Sequence, residues 1–390
     1  MSDLLLLSGG RVLPISGPEI EGGEVLVEGS KIKAVGKSLP AGAARKIDVT
    51  GKYVVPGFVD AHCHIGMFGD AVGFEGEDGN ECTDPVTPHL RAIDAIYPTD
   101  LPFEEALQAG VTTAVTGPGS GNVISGTFAA IKTYGNTVEK KLIRQPIAMK
   151  CAFGENPKRV YNSMKKSPST RMATAAILRE TLFRAAEYLE KKEAAGDDLS
   201  KRPPFDIKME ALIPVLKREI PLKAHAHRAD DIMTSIRIAE EFNVRITLEH
   251  CTEGHLIIEE IVARKLPAIV GPTFGSRTKI ELKNTTFETI VKLTKAGVKT
   301  AIMTDSPVIP LDSLPLCAKF AIQNGLSKEE ALRCITLNAA EITEIADRVG
   351  SLEPGKDADI VVFDRHPMDF DAKVEMVIVD GAIVYERKDE

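Results

Sequence analysis

Short apolar runs rich in β-formers alternate with amphipathic stretches of helical period along most of the chain, and at both ends the helical stretches drop out. In the first fifty-odd residues the runs 4–7, 24–27, 31–35 and 46–49 are separated only by turn signals such as Gly22-Gly23 and Pro40, so they read as short strands. The last forty residues repeat the pattern. Runs 358–363 and 374–379 are β-rich, Asp380-Gly381 is a hairpin turn, and 382–385 follows. Neither end carries enough apolar residues for a core of its own, which predicts that residues 1–56 and 351–390 meet in one small β-sandwich domain.

From about Gly57 to about Gly350 strand and helix patterns alternate as in stacked β-α units. Strands are predicted at 54–61, 112–116, 147–150, 222–225, 245–249, 268–271 and 299–304. Helices are predicted at 171–195, 205–217, 229–242, 256–263, 287–295, 314–323 and 328–336. This count, over a length close to the roughly 250 residues of an eight-fold barrel, predicts an α/β chain in which residues 57–350 form a (β/α)8 TIM barrel. An open doubly wound sheet is the second architecture. Residues 66–102, rich in Gly, Asp, Glu and Pro, read as a long irregular loop, and 154–170 as another.

In such a barrel reactive groups gather at the carboxyl ends of the strands. The proposed ends carry His62 and His64, Thr116, Lys150, His225, His250 and Asp305 in turn. His62 and His64 are separated by one residue on a strand, so both rings point the same way and can hold one cation. A lone histidine is more often a core or surface group, but ligand-type residues at five separate strand ends point to a bound metal.

Composition narrows the partner. With 390 residues, 43% hydrophobic and 27% charged, the chain is long enough for a large core. The formal net charge of −8 and the lack of a long Lys/Arg block argue against nucleic acid and for a small-molecule substrate. The opening Met1-Ser2-Asp3 has an acid where a signal peptide wants positive charge, and no segment reaches the length of a membrane span. Cysteines 63, 82, 151, 251, 317 and 334 show no pairing pattern, so reduced thiols in a cytoplasmic protein are expected. A homo-oligomer is compatible with all of this.

The run Pro56-Gly57-Phe58-Val59-Asp60-Ala61-His62-Cys63-His64 resembles the first-strand signature of the amidohydrolase superfamily. Gly350-Ser351-Leu352-Glu353-Pro354-Gly355-Lys356-Asp357-Ala358-Asp359-Ile360-Val361 resembles that family's return into its β-sandwich. With His225, His250 and Asp305 in the expected order, the resemblance covers essentially the whole chain. It is nearest to the branch of imidazolonepropionase-like enzymes and metal-dependent Xaa-Pro or arginine-releasing dipeptidases. The resemblance implies a distorted (β/α)8 barrel, one or two divalent metals, and cleavage of a C–N bond by metal-activated hydroxide. It implies His62, His64, His225, His250 and Asp305 as metal ligands, with Asp305 also the general base and acid. Zinc is the expected metal, although manganese, iron and nickel accept the same donors.

Lys150 carries two readings. In two-metal relatives a fourth-strand lysine is N6-carboxylated and its carbamate bridges a binuclear metal centre; a free lysine neutralising the pocket is the alternative. His227, two past His225, reads as a substrate contact, a group orienting a ligand, or a plain structural histidine. Arg91 and Arg228 are candidates to clamp a substrate carboxylate, against the plainer reading of ion pairs with neighbours such as Asp94 or Glu81. Cys63, Cys151 and Cys251 should turn away from the barrel interior. The turn Gly117–Asn122 is weak as an anion site. Three functions stand at this point: hydrolysis of a small amide or cyclic amide, a metallo-dipeptidase, and a non-catalytic scaffold, which the intact ligand set disfavours.

Overall fold

The computed structural model describes residues 4–388. The expectation drawn from Met1-Ser2-Asp3 about a leader lies outside these residues, as do the last two residues of the predicted terminal domain. The fold is mixed α/β. Eight strands are hydrogen-bonded in sequence order into one sheet: Phe58–Cys63, Val111–Thr116, Ile124–Lys132, Leu142–Ala152, Leu222–Ala226, Ile246–His250, Ala268–Val270 and Thr300–Ile302.

The first and eighth of these strands are tied past their ends, so the sheet is nearly closed into a barrel. The Asp305 N–H donates to the His62 carbonyl at 3.2 Å, and the His64 N–H to the Ser306 carbonyl at 2.7 Å. Asp60, fully buried on the first strand, adds a side-chain tie. Its carboxylate accepts from the N–H of His62 (2.9 Å), the N–H of Thr304 (3.0 Å) and the Thr304 hydroxyl (2.6 Å).

One barrel strand runs against the rest. Ile124–Lys132 pairs antiparallel with both the second and the fourth strand. This corrects the expectation of seven parallel strands from uniform β-α units. All nine of its residues are buried, so no alternation marks it, and Gly126 with Ala129 and Ala130 dilutes its β-character. Its reversed direction carries Lys132 to the opposite end of the barrel from the ends of its neighbours.

The helices follow their apolar period closely. Arg171–Ala195 and Leu314–Gln323 have the predicted bounds, and the other five predicted helices differ by no more than two residues at either end. Thr170 starts the long one by accepting from the Ala173 N–H. Residues 154–170 are not wholly irregular: they hold the helix Glu155–Ser163, whose Pro157 sits in the first turn, where its missing N–H costs nothing. The short helix Leu337–Ile342 was also not anticipated. Residues 66–102 are irregular apart from two 3-10 turns, Gly73–Gly76 and Ala92–Asp94, up to the helix Leu101–Gln108. Cys63, Cys151 and Cys251 point outward into the apolar layer between strands and helices, as alternation requires.

The two ends of the chain do meet, and the hydrogen bonds join them into one continuous eight-stranded sheet. Its order is Ala382–Glu386, Val374–Val379, Ile360–Phe363, Tyr53–Pro56, Leu4–Val12, Ile20–Glu28 and Lys31–Gly36, with Arg45–Asp48 also on Leu4–Val12. The run expected as a single strand at 54–61 is cut at Gly57, where the chain leaves this sheet for the barrel. A β-carbon at Gly57 would lie 1.9 Å from the Thr112 hydroxyl, so the crossing needs glycine. Nearby, Lys132 is buried among Asp357 (2.9 Å), Asp359 and Asp380 (3.5 Å), and Asp357 also pairs with Lys31 and Arg348.

Candidate metal centre

Six ligand-type side chains converge at the carboxyl end of the barrel. His62 comes from the first strand and His64 from just past its end, Lys150 from the fourth, His225 from the fifth, His250 from the sixth, and Asp305 follows the eighth. His62 Nε2 and His64 Nε2 lie 3.5 and 3.2 Å from the same Asp305 Oδ1. The His225 and His250 rings are 4.1 Å apart between centroids, and His62 and His250 5.6 Å. Two groups have donor atoms within 4.8 Å of one another: His62, His64 and Asp305, and His225, His227 and His250.

Hydrogen bonds at the far side of three of the rings set their free nitrogens. His64 Nδ1 bonds the Gly117 carbonyl at 2.6 Å, His250 Nδ1 bonds the Gly271 carbonyl at 2.8 Å, and His62 Nδ1 bonds Glu249 Oε2 at 2.6 Å. A carbonyl or carboxylate partner accepts a hydrogen bond from Nδ1–H, so Nε2 keeps its lone pair and points into the site. Burial pushes His62, His225 and His250 well below the ordinary imidazole range, which keeps them neutral. Four buried atoms here have no hydrogen-bond partner: both His225 nitrogens, His250 Nε2 and Asp305 Oδ1. Buried polar atoms are normally satisfied, so lone pairs left open and converging fit a cation.

The backbone bends sharply to aim these groups. His250, Cys251 and Asp305 have φ of 66°, 50° and 55°, a left-handed conformation that costs a non-glycine residue about 1–2 kcal/mol. Phe128, from the reversed third strand, forms the floor, with its ring 5.2 Å from that of His62 and 5.4 Å from the Lys150 ammonium. A β-carbon at Gly117 would come within 2.2 Å of the Phe128 ring, so glycine is required where its carbonyl meets His64.

Lys150 is fully buried, with Nζ 3.0 Å from His62 Nε2. Burial is the main cause that pushes its pKa down to about 8, against the pull of Asp305 and Glu249. Beneath it lies a network that motif reading did not single out. Lys223 Nζ contacts Glu249 Oε2 at 2.8 Å and donates to the Ala61 carbonyl at 2.9 Å, and the same Glu249 oxygen holds His62. Alternation could have located it, because Lys223 and His225 share a face of one strand; a buried ion pair across two strands leaves no other trace in sequence.

His227 joins the histidine group, with Nδ1 on the Thr252 hydroxyl at 2.8 Å and Nε2 3.8 Å from Glu281 Oε1. Burial pushes its pKa down to about 3. A cavity of about 490 Å3 opens over His64, His225, His227, His250 and Asp305. Arg91 and Arg228 are not among its lining residues. Arg91 makes two hydrogen bonds to Asp94, both 2.9 Å, beside a neighbouring cavity of about 900 Å3. Arg228 is held by Asp230 at 2.9 and 2.8 Å. Thr116 also turns elsewhere, donating to the Ile65 carbonyl. The amides of Gly119 and Gly121 are taken by Gly79 and Asn80, which leaves a tight turn.

A nearly closed barrel with histidines and an acid at its strand ends could hold a metal ion. The amidohydrolase family pattern matches residues 53–384. The solved amidohydrolase of Thermotoga maritima MSB8 is 45% identical, with a TM-score of 0.95 over 98% of this chain and 100% of that one. The imidazolonepropionase of Shouchella clausii is 24% identical over 95% of this chain and 88% of its own length. Amidohydrolase tasK of Hapsidospora irregularis is 28% identical over 93% of this chain, which spans only 40% of that protein. A prolidase solved with N-methylphosphonate-L-proline shares the fold, with a TM-score of 0.62 at 21% identity, 98% of this chain and 100% of that one. The chain belongs to the amidohydrolase family and is thereby placed among hydrolases acting on carbon–nitrogen bonds. Among the described residues no helix is long and apolar enough to cross a membrane.

Proposed function

We propose that residues 57–350 form a metal-dependent hydrolase unit that cleaves an amide or cyclic amide bond of a small molecule. The observation that carries this is the set of three residues with unpartnered buried donor atoms, His225, His250 and Asp305, opening onto one cavity. One or two divalent cations, zinc first among them, would be held by His62, His64, His225, His250 and Asp305 and would activate water and polarise the scissile carbonyl.

The chain's own groups then have distinct tasks. Asp305 Oδ1 takes the proton of the attacking water and returns it to the leaving nitrogen. Glu249 orients His62 through Nδ1, and Lys223 balances the charge of Glu249. Phe128 keeps bulk water from the floor. Lys150, with its pKa near 8, carries a tenth or so of neutral amine at pH 7, the form that reacts with carbon dioxide. We read it as N6-carboxylated in the loaded enzyme, which would supply two oxygens between the two donor groups. Six unpaired cysteines suit a reducing compartment, and on that ground we place the protein in the cytoplasm.

Asp305→Asn tests the reading. Loss of its base should lower turnover by about 10²–10⁴-fold while circular dichroism and metal content stay close to wild type. Turnover within a few-fold of wild type would remove Asp305 from the role.

A further inference from the structure

Lys279 is the only lysine or arginine lining the site cavity among the described residues. Its ammonium lies 3.6 Å from Glu281 Oε1, and the same oxygen lies 3.8 Å from His227 Nε2, so two short contacts separate the cation from the histidine group. Neither contact is a hydrogen bond: Glu281 Oε1 has no hydrogen-bond partner, while its other oxygen accepts the Glu155 N–H at 2.9 Å. Besides the histidines, the other polar lining groups are amides and hydroxyls, such as Asn80, Asn156 and Ser276, the one carboxylate is Asp305, and the remainder is apolar, including Phe68, Phe274 and Leu282.

We infer that Lys279 binds a carboxylate on the substrate, so that the bond cut belongs to an N-acyl amino acid or a dipeptide and not to a neutral amide. The inference rests on the hydrolase reading above and narrows its substrate class. Two observations support it. The cation faces the cavity with a side chain one-fifth exposed, and its partner is loosely placed. The facing Glu281 oxygen, at 3.6 Å, makes no hydrogen bond to Lys279 or to any other group. A charge-assisted bond to a substrate carboxylate would complete this half-satisfied cation. Arg91 and Arg228, the sequence candidates for that task, are each already paired with an aspartate.

The test compares N-acetylproline with N-acetylprolinamide, two probes that differ only in the carboxylate, by calorimetry on the zinc-loaded full chain. The acid should bind at least about tenfold tighter to wild type. Lys279→Met should abolish that difference and Lys279→Arg should keep most of it, with zinc content unchanged in both. Equal affinity for the two probes, no binding of either, or a preference that survives Lys279→Met overturns the inference. The hydrolase reading fails separately, on the turnover of Asp305→Asn, whatever these affinities are.

Discussion

Two lysines on neighbouring barrel strands are both almost fully buried, yet they sit in opposite electrostatic worlds. Lys132, at the lower end of the reversed third strand, faces Asp357, Asp359 and Asp380, and Lys31 and Arg348 share Asp357. Burial alone would lower its pKa, but Asp359 and Asp357 outweigh that and raise it. Lys150, at the upper end of the fourth strand, has a histidine nitrogen as its nearest partner, and burial wins, leaving it near 8. A buried charge persists where counter-charges are complete and turns into a reactive amine where they are not. The first arrangement pins the terminal sheet to the barrel; the second equips the site.

The largest expected effect comes from breaking the complete cluster. Lys132→Met leaves Asp357 and Asp359 buried without their main cation, and should cost roughly 3–5 kcal/mol in denaturant unfolding while the purified variant keeps its metal. A loss under about 1 kcal/mol would show that the cluster is not a structural pin. Lys150→Ala should do the reverse, keeping the fold but losing metal by elemental analysis and at least about 100-fold in activity, with partial recovery on adding short carboxylic acids. Full metal occupancy and an unmodified amine in the wild-type intact mass would sink the carbamate.

Alkaline titration of the metal-free protein sharpens the contrast. The folded pKa of Lys132 is raised, so its contribution is complete below the unfolded value near 10.5 and is lost as pH climbs through the higher folded value. Lys150 has the opposite sign. From about 8 to about 10.5 the unfolded chain still holds a proton that the folded chain has shed, so stability rises with pH over that window. Wild type should therefore gain up to roughly 3 kcal/mol relative to Lys150→Met between pH 7.5 and 10.5. A flat difference would contradict the buried neutral amine. The smallest effect belongs to Arg348→Ala. Its guanidinium is about a third exposed and Asp357 keeps Lys132 and Lys31, so about 1 kcal/mol or less is expected, read as a small drop in Tm. A loss as large as that from Lys132→Met would mean that the exposed arginine, not the buried lysine, neutralises the cluster.

Much of the site was legible along the chain. The spacing of His62 and His64, the strand-end positions of Lys150, His225, His250 and Asp305, and the outward turn of Cys63, Cys151 and Cys251 follow from the two-residue period of a strand, which is local. Helix 171–195 was legible because its pattern lies within one continuous stretch. The third strand was not, because burial on both faces erases alternation. Sequence by itself thus determined which residues share a face and which end of each strand they occupy. Tertiary structure alone decided the rest: that Glu249 and Lys223 stand behind His62, that Asp60 ties the first strand to the eighth, and that Lys279, not Arg91 or Arg228, looks into the cavity. Those pairings span 26 to 244 residues, and no local period can say which distant charge will meet which once the barrel closes.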